Sequence, residues 1–382
     1  MKFVAEYIWR DGKNGLRSKS RTVDIKVTKE DLKSRNIMTE IINVDLYSEW
    51  SYDGSSTGQA TGSDSEIILK PVYVCTDPFR KAPNVFVLCT TYNPNGEPTV
   101  TNTRHNAEKI FSQNKNLEPW FAIEQEFFLM KSCQKHPTKK SIKPLGWRED
   151  AVEQGQYYCS IGAENAFGRT VAERAYHLIL EAGLNASGMN AEVAPGQWEI
   201  QIGPSGGLMT CDQLWISRYI LERVGELNGV QINYDPKPID GNWNGSGGHV
   251  NYSTKPMREE GGYPIIIDAI EKLEKNHLKH MKVYGEGNEK RMSGKHETSS
   301  YNNFTWGVAN RGASIRIPRN TEKDGKGYLE DRRPSANLDP YLVTSIIFET
   351  TTEGLSSVLP ESEPESKILD EVLHEVLQEV LE

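Results

Sequence analysis

Residues 190–204, NAEVAPGQWEIQIGP, combine the clearest turn signal of the sequence with its clearest strand pattern. The Pro-Gly pair at 195–196 marks the turn, and after it apolar residues alternate with polar ones in the period of two that is typical of a half-buried strand. We therefore predict strands on both sides of this turn, with Glu192 on the first and Glu199 on the second. A carboxylate on an enclosed strand is costly unless a cation or water meets it. The segment therefore indicates a metal ion, an arginine partner or a solvated cleft.

The composition is that of a globular protein with an acidic balance. The 382 residues are 37% hydrophobic and 25% charged, which is typical of about two domains with an ordinary core. The formal net charge of −9, without a strongly basic block, disfavours nucleic acid as a partner. The five cysteines show no CxxC spacing, which argues against a disulfide framework or a structural zinc site. Because we find no membrane-length apolar run and no signal or transit pattern, we expect a cytoplasmic protein that does not bind membranes.

The pattern of elements divides the chain into three parts, at 1–96, 97–360 and 361–382. The first part contains short strand patterns separated by turns, and a segment rich in Pro, Asn and Gly at 91–104 marks its end. The second part alternates strands with helices, which predicts an α+β fold rather than a doubly wound sheet. The predicted elements are helices at 168–182, 206–229 and 264–281, and strands at 119–130, 188–202, 247–253 and 313–317. The third part repeats a Val-Leu pair every four residues between acids, which predicts an amphipathic helix for packing or oligomerisation.

Acidic residues interrupt a second apolar strand, WFAIEQEFFLM at 120–130. Glu124 and Glu126 are two residues apart, so both lie on the same face, where their charges repel. An edge strand with solvated glutamates is one explanation, and a metal site is the other. The candidate ligands are hard oxygen donors and one imidazole: Glu124, Glu126, Glu192, Glu199, His249 and Glu330. This set suits Mg²⁺ or Mn²⁺, and it is large enough for two ions of the kind that clamp phosphate oxygens.

Arginines concentrate in the C-terminal third of the chain. The candidates are Arg291, Arg311, Arg316, Arg319, Arg332 and Arg333. They could simply pair with the glutamates, but the planar guanidinium also suits phosphate and carboxylate, so arginines beside a metal indicate phosphoryl or acyl-phosphate chemistry. Since neither a GxxxxGK[ST] loop nor a strand–GxGxxG–helix unit is present in the sequence, a nucleotide site must be of another type.

Seven segments, in this order, resemble the glutamine synthetase family, and specifically its eukaryotic type. They are WSYDGSSTGQA (50–60), EQEFFLM (124–130), NAEVAPGQWEIQIGP (190–204), NWNGSGGHVNYST (242–254), GKHETS (294–299), GVANRGASIRIPR (307–319) and GYLEDRRPSANLDPY (327–341). The resemblance runs over nearly the whole chain. It implies a small β-grasp-like N-terminal domain and a larger catalytic domain with an antiparallel β-sheet flanked by helices, followed by the acidic tail.

The resemblance also implies a reaction and a set of ligands. Members of the family use ATP to join ammonia to the γ-carboxylate of L-glutamate through γ-glutamyl phosphate. The implied metal ligands are Glu126, Glu192 and Glu199 for one Mg²⁺ or Mn²⁺, and Glu124, His249 and Glu330 for another. The implied contacts to glutamate are Asn244, Gly245, Arg291, Arg311 and Arg332. The implied contacts to ATP are Trp120, Glu199, Pro204, Asn251, Ser253, Arg316, Tyr328 and Arg333.

Four residues have implied catalytic roles. Asp53 helps to bind and deprotonate ammonium, and Glu297 is the acid of a flap that closes the site and takes a proton. Arg311 and Arg316 meet the transferring phosphoryl group. The family arrangement implies a homo-oligomer with active sites between adjacent subunits, a decamer of two pentameric rings, in which Asp53 serves a neighbour's site.

Two other functions compete with this one. A relative could use another amine or another acid acceptor, although the complete DGSST and NWNGSGGH motifs argue against it. A non-catalytic scaffold or nitrogen sensor could keep the fold, but it would have no need for a costly charged cleft.

Overall fold

The computed structural model describes residues 1–26, 36–131, 142–148 and 155–353. The predicted amphipathic helix at 361–382 lies outside these residues. Among the described helices, none is both long and apolar enough to cross a membrane.

A five-stranded sheet forms the N-terminal domain, and a short helix α1 (Asn36–Ile41) accompanies it. The strands are β1 (Lys2–Arg10), β2 (Leu16–Asp24), β3 (Trp50–Asp53), β4 (Glu66–Thr76) and β5 (Val85–Tyr92). Their order is β2-β1-β5-β4-β3, in which only the β1–β5 pair is parallel. The β-rich first domain predicted from the sequence is confirmed.

Strand β1 is buried on both faces, and this attaches the first domain to the second. Phe3, Ala5, Tyr7 and Trp9 pack into a cluster inside the N-terminal domain. Ile8 points the other way, into the larger core of the second domain. Because each face of the strand meets an apolar layer, six of its nine residues are apolar, and Glu6 and Arg10 are buried as well.

An eight-stranded sheet forms the centre of the second domain. Its strands are β6 (Trp120–Lys131), β7 (Ala186–Ala191), β8 (Gln197–Gly206), β9 (Val230–Asn233), β10 (Gly248–Ser253), β11 (Trp306–Val308), β12 (Ile315–Ile317) and β13 (Leu329–Asp331). The order is β11-β12-β13-β10-β6-β8-β7, and β9 pairs with the far end of β6. The predicted antiparallel sheet is confirmed, with one exception, since β11 and β12 run parallel.

Helices cover this sheet and fill the space between the two domains. They are α2 (Thr103–Gln113), α3 (Arg169–Glu181), α4 (Gly207–Asn228), α5 (Lys255–Arg258), α6 (Gly262–Lys275), α7 (His277–Met281), α8 (Arg319–Asp324) and α9 (Pro340–Thr352). Helix α4 is buried along most of its length and contacts β5 of the first domain as well as β6 and β8. The α+β fold is thus confirmed.

Two details of the sequence prediction were wrong. The helix predicted at 264–281 is interrupted at Asn276, which leaves the helical conformation (φ −103°, ψ 12°) between α6 and α7. Glu192 does not lie on a strand, because β7 ends at Ala191. The Glu192 N–H instead donates to the carbonyl of Gln197 (2.9 Å) and closes the turn around the Pro-Gly pair.

Candidate active site

Most of the predicted site residues surround one cavity of about 320 Å³ at the face of the second sheet. Its lining is almost entirely polar and consists of five glutamates, four arginines, three amides, two glycines, two histidines, a tyrosine and a threonine. The predicted residues in this lining are Glu124, Glu126, Glu192, Glu199, Asn244, Gly245, His249, Arg291, Glu297, Arg311, Arg316 and Arg332. The sequence analysis did not predict Tyr158, Asn190, Gln201, His296 and Thr298, which also line it.

The strand register explains why acids that are distant in sequence meet here. Glu124 lies directly opposite His249 on β10, and Glu126 lies opposite Glu199 on β8. Glu330 on β13 is opposite Asn251, two residues along from His249 on the same face. Four neighbouring strands, β13, β10, β6 and β8, therefore direct these polar positions to one face of the sheet.

Two sets of three side chains bring ligand atoms within 4.8 Å of one another. The first set is Glu124, His249 and Glu330, as predicted, and the second is Glu126, Glu199 and His249. The prediction gave Glu192 to the second set in place of the histidine. Glu192 lines the same cavity, but its oxygens are held by Asn190 Nδ2 (2.9 Å) and the Val193 N–H (3.2 Å).

Burial and mutual repulsion dominate the electrostatics of the carboxylates. Burial raises the pKa of Glu126, and it raises the pKa of Glu192 and Glu199 well above the ordinary range. The negative charge of nearby glutamates adds to the pKa rise of Glu192 and Glu199. Burial, together with the positive charge of Arg332, lowers the pKa of His249 well below its usual value, so the imidazole is neutral. Crowded carboxylates and a neutral imidazole fit a hard divalent cation, since the cation would relieve the repulsion.

Arginines lie on one side of this cluster. The Glu330 carboxylate forms salt bridges with Arg316 Nε at 2.8 Å and with Arg332 Nη1 at 2.5 Å. Arg311 pairs with Glu297 at 2.8 Å, and both side chains are partly exposed at the rim. The Glu297 backbone has a left-handed conformation (φ 63°), which is uncommon for a residue with a side chain. Positive groups are therefore available beside the acidic cluster without neutralising all of it.

A second cavity of about 440 Å³ adjoins the first and has a mostly apolar lining. The two share Glu124 and Gln201. The second cavity is lined by five residues that were predicted to contact ATP: Trp120, Pro204, Asn251, Ser253 and Tyr328. Arg258, which the sequence analysis did not single out, stacks its guanidinium over the Trp120 ring at 4.0 Å. An aromatic slot beside an acidic cavity can take a flat base on one side and polar phosphates on the other.

Arg333 and Asp53 are placed elsewhere. Within the described structure, neither Arg333 nor Asp53 lines either of these two cavities. Arg333 is fully buried on the opposite face of β13, where Nε and NH2 donate to Asp331 at 2.8 and 2.7 Å. This corrects the predicted contact of Arg333 with ATP. Asp53 is exposed and caps a short turn by accepting from the Ser55 N–H (2.9 Å), so its service to a neighbour's site stays a prediction.

Comparison with known proteins agrees with this arrangement. The family model described as "Glutamine synthetase, beta-Grasp domain" matches residues 2–94, and "Glutamine synthetase, catalytic domain" matches 101–280 and 290–379. Glutamine synthetase cytosolic isozyme 1-1 of Oryza sativa subsp. japonica is 53% identical over 356 residues, which are 92% of this chain and 94% of that protein. Glutamine synthetase cytosolic isozyme 2 of Vitis vinifera is 52% identical over 355 residues, with the same two shares. The chain therefore belongs to the glutamine synthetase family, and within it to the eukaryotic type.

Proposed function

We propose that this protein is an ATP-dependent glutamate–ammonia ligase that produces glutamine, ADP and phosphate. The observation that supports this most strongly is the convergence of Glu124, Glu126, Glu199 and His249 on one polar cavity beside an aromatic slot, with a carboxylate oxygen of Glu330 within 4.8 Å of the ligand atoms of Glu124 and His249. A charged cleft of this kind costs stability, which a scaffold protein would have no reason to retain.

The two sets of ligand atoms would each hold a divalent cation, Mg²⁺ or Mn²⁺. Glu124, His249 and Glu330 would hold one, and Glu126 and Glu199 would hold the other together with His249 or with Glu192. When bound, such cations neutralise phosphate oxygens and orient them for an in-line transfer.

The aromatic slot would bind the nucleotide. Trp120 and Tyr328 offer exposed ring faces, and Arg258 holds the Trp120 ring in place. Asn251 and Ser253 lie on β10 between this slot and the acidic cavity, where they can contact the sugar and phosphates. Pro204 and Glu199 approach from β8. The terminal phosphate would thereby face the arginines of the first cavity.

The amino-acid substrate would occupy the first cavity. Asn244, Gly245, Arg291 and Arg332 line its floor, and the buried Oδ1 of Asn244 has no hydrogen-bond partner within the described part of the chain. A γ-carboxylate oxygen of glutamate would attack the γ-phosphorus of ATP. The new bond joins this carboxylate oxygen to phosphorus, and the bond from the γ-phosphorus to the β,γ-bridging oxygen breaks, so that ADP leaves. Arg311 and Arg316 would stabilise the charge on the transferring group.

Ammonia would then attack the acyl carbon, forming a C–N bond, and phosphate would leave. Glu297 at the rim would accept the proton released from the tetrahedral adduct, since its carboxylate lines the cavity and remains partly accessible. Asp53 of an adjacent subunit would bind and deprotonate the ammonium ion. This requires a homo-oligomer, which we propose to be a decamer of two pentameric rings. Because the matched rice and grape relatives are named cytosolic isozymes, we also propose a cytoplasmic location.

The test is a glutamine and phosphate assay with glutamate, ATP and Mg²⁺, in which ammonium is compared with methylamine and ethylamine. We expect ammonium to be the strongly preferred amine and both products to be released in equal amounts. Glu297→Ala should reduce ligation by about 10²–10⁴-fold, which is the usual contribution of a positioned acid or base, without changing the native mass. Preference for another amine would indicate a different ligase, and phosphate release without any amine product would refute the proposal.

A further inference from the structure

Four glutamates of the acidic cluster lie on β6, on β8 and in the turn between β7 and β8. Each of them accepts a hydrogen bond from one side-chain amide. The pairs are Asn251 Nδ2 to Glu124 Oε1 (2.8 Å), Gln197 Nε2 to Glu126 Oε2 (2.8 Å), Asn190 Nδ2 to Glu192 Oε1 (2.9 Å) and Gln201 Nε2 to Glu199 Oε1 (2.9 Å). Glu330 differs, because two arginines hold it.

A neutral donor does something that an arginine cannot do. It fixes one carboxylate oxygen and the rotamer of the side chain, but it leaves the negative charge uncompensated and available to a cation. Partners of this kind typically change metal affinity by about 10–100-fold when they are removed. The four amides therefore orient the acidic cluster without neutralising it.

Gln197 differs from the other three amides. Its side chain is almost completely buried, and its Nε2 also donates to the Gly245 carbonyl at 3.0 Å. Its Oε1 accepts from the Ala194 N–H at 3.2 Å, so every polar atom of the side chain has a partner. The same oxygen of Glu126 that Gln197 holds also accepts the Gly247 N–H at 2.9 Å. One amide thus joins a metal-binding carboxylate to the loop that carries Asn244 and Gly245.

We propose that Gln197 is a positioning residue that couples cation binding at Glu126 to the geometry of the Gly245–Gly247 loop and thereby to binding of the amino-acid substrate. This rests on the proposed function, which places glutamate at that loop. A cation that fixes Glu126 also fixes the amide, and the amide fixes the Gly245 carbonyl. Because coupling of two binding equilibria is reciprocal, glutamate must tighten cation binding by the same factor.

The chain offers a matched control on the same strand. Gln201 donates to the carboxylate of Glu199 much as Gln197 donates to Glu126, and it makes no hydrogen bond to the substrate loop within the described structure. Gln197→Met removes the amide at nearly constant volume. Gln197→Glu keeps an acceptor for the Ala194 N–H, but it replaces the donors by an oxygen and adds a negative charge next to Glu126. It serves as the second variant for the response to glutamate if the first folds poorly. Circular dichroism and native mass establish that each variant is folded and assembled.

The experiment is a titration of the full-length protein with Mn²⁺, followed by electron paramagnetic resonance, with and without saturating L-glutamate and without nucleotide. In the wild type we expect glutamate to tighten Mn²⁺ binding by at least about fivefold. In Gln197→Met, Mn²⁺ affinity should fall by about tenfold or more. In both Gln197→Met and Gln197→Glu, the factor due to glutamate should fall to about one. In Gln201→Met the Mn²⁺ affinity should fall, but the factor should stay at its wild-type value.

Three results would overturn the proposal. They are a wild type whose Mn²⁺ affinity does not respond to glutamate, Gln197 variants that keep the response, and a Gln201 variant that loses it to the same extent. The ligation assay distinguishes the two proposals. If the wild type makes glutamine but shows no coupling, only the role of Gln197 fails. If it neither makes glutamine nor responds to glutamate, the proposed function fails as well.

Discussion

Strand β13 and the two residues after it carry two ion pairs that face in opposite directions. In the segment Glu330-Asp331-Arg332-Arg333, the first and third residues face the acidic cavity, whereas the second and fourth face the core behind the sheet. The residue types are nearly the same on both faces. Their surroundings are different, and this difference separates a structural ion pair from a ligand site.

On the core side every charge has a partner. Asp331 accepts from Arg333 Nε (2.8 Å), Arg333 NH2 (2.7 Å) and Tyr284 OH (2.7 Å). Although burial alone would raise it, the positive charge and hydrogen bonds of Arg333 hold the pKa of the Asp331 carboxyl below its ordinary value. The pair is therefore ionised and balanced.

On the cavity side the negative charges outnumber their partners. Glu330 has its arginines, but Glu126, Glu192 and Glu199 have only neutral donors, and burial raises the pKa of each. The fold thus holds ionisable groups where their charged forms are unfavourable. Balanced charges behind the sheet thus stabilise the fold, whereas the unbalanced glutamates on its cavity face form a candidate cation site.

The largest effect on stability is expected from Asp331→Asn. The substitution leaves the Arg333 guanidinium buried without an anion, and breaking a buried pair in this way typically costs about 3–5 kcal/mol. We expect the free energy of unfolding, measured by urea denaturation, to fall by about this amount. Glu330→Gln, on the cavity face, should abolish ligation and should also lower the free energy of unfolding, because it removes the anion that pairs with the buried Arg332.

The double variant Asp331→Asn/Arg333→Met is the control for that prediction. Removing both charges should restore much of the stability that the single substitution loses, because no unpaired ion remains. A double variant as unstable as Asp331→Asn alone would show that the pair acts by shape and not by charge balance.

A smaller effect of opposite sign is expected from Glu199→Gln. The amide keeps the volume and an oxygen that accepts from Gln201, but it removes one of the crowded charges. Because burial and nearby glutamates raise the pKa of this carboxyl, its charged form is unfavourable in the folded protein, and we expect the metal-free variant to be more stable than the wild type at pH 7.5. Thermal unfolding is measured without Mg²⁺ and at Mg²⁺ concentrations that increase in about tenfold steps. Without the cation, the unfolding midpoint of Glu199→Gln should be higher than that of the wild type. When Mg²⁺ is added, the midpoint of the variant should rise less. A variant that is less stable without Mg²⁺ would contradict the idea of an unbalanced face.

The smallest and most specific effect is the pH dependence of these differences. The pKa of Glu199 in the folded protein lies above its ordinary value of 4.5, so this carboxyl contributes stability below that pH and loses it as the pH rises through the folded pKa. The gain from Glu199→Gln should therefore grow as the pH is raised from 4.5 and vanish near 4.5. Asp331 has the opposite sign, because its pKa is lowered from 3.8, and its contribution should be lost only as the pH falls below that value.

Urea denaturation of the wild type and both variants across this pH range checks the two signs, since each variant is compared with the wild type at the same pH. Parallel curves for the wild type and Glu199→Gln would mean that this carboxyl is already charge-balanced without a metal.

Much of the candidate site could be predicted from the sequence because strand alternation places residues on faces. The two-residue spacing of Glu124 and Glu126 predicts a shared face, and the structure places both in the cavity. The same alternation places Arg333 on the opposite face from Glu330, so strand alternation argues against the predicted ATP contact of Arg333.

Other features depend on register between strands, which a single sequence does not reveal. The ring of His249 belongs to both sets of ligand atoms because β10 pairs with β6 so that His249 lies opposite Glu124, two residues from the Glu126–Glu199 pair. Gln197 and Gln201 looked like the polar side of a strand, and nothing in their local sequence distinguishes a buried amide from a solvated one. Arg258 lies on a short helix after β10 and becomes part of the aromatic slot only through tertiary packing.

The most direct test is a crystal of the full chain grown with Mn²⁺ and measured at the manganese absorption edge. We predict anomalous peaks inside the first cavity, one bounded by Glu124, His249 and Glu330 and one reached by Glu126 and Glu199. Manganese found only at exposed surface acids, with these five side chains unliganded, would contradict the central claim that the unbalanced face of the sheet is a cation site.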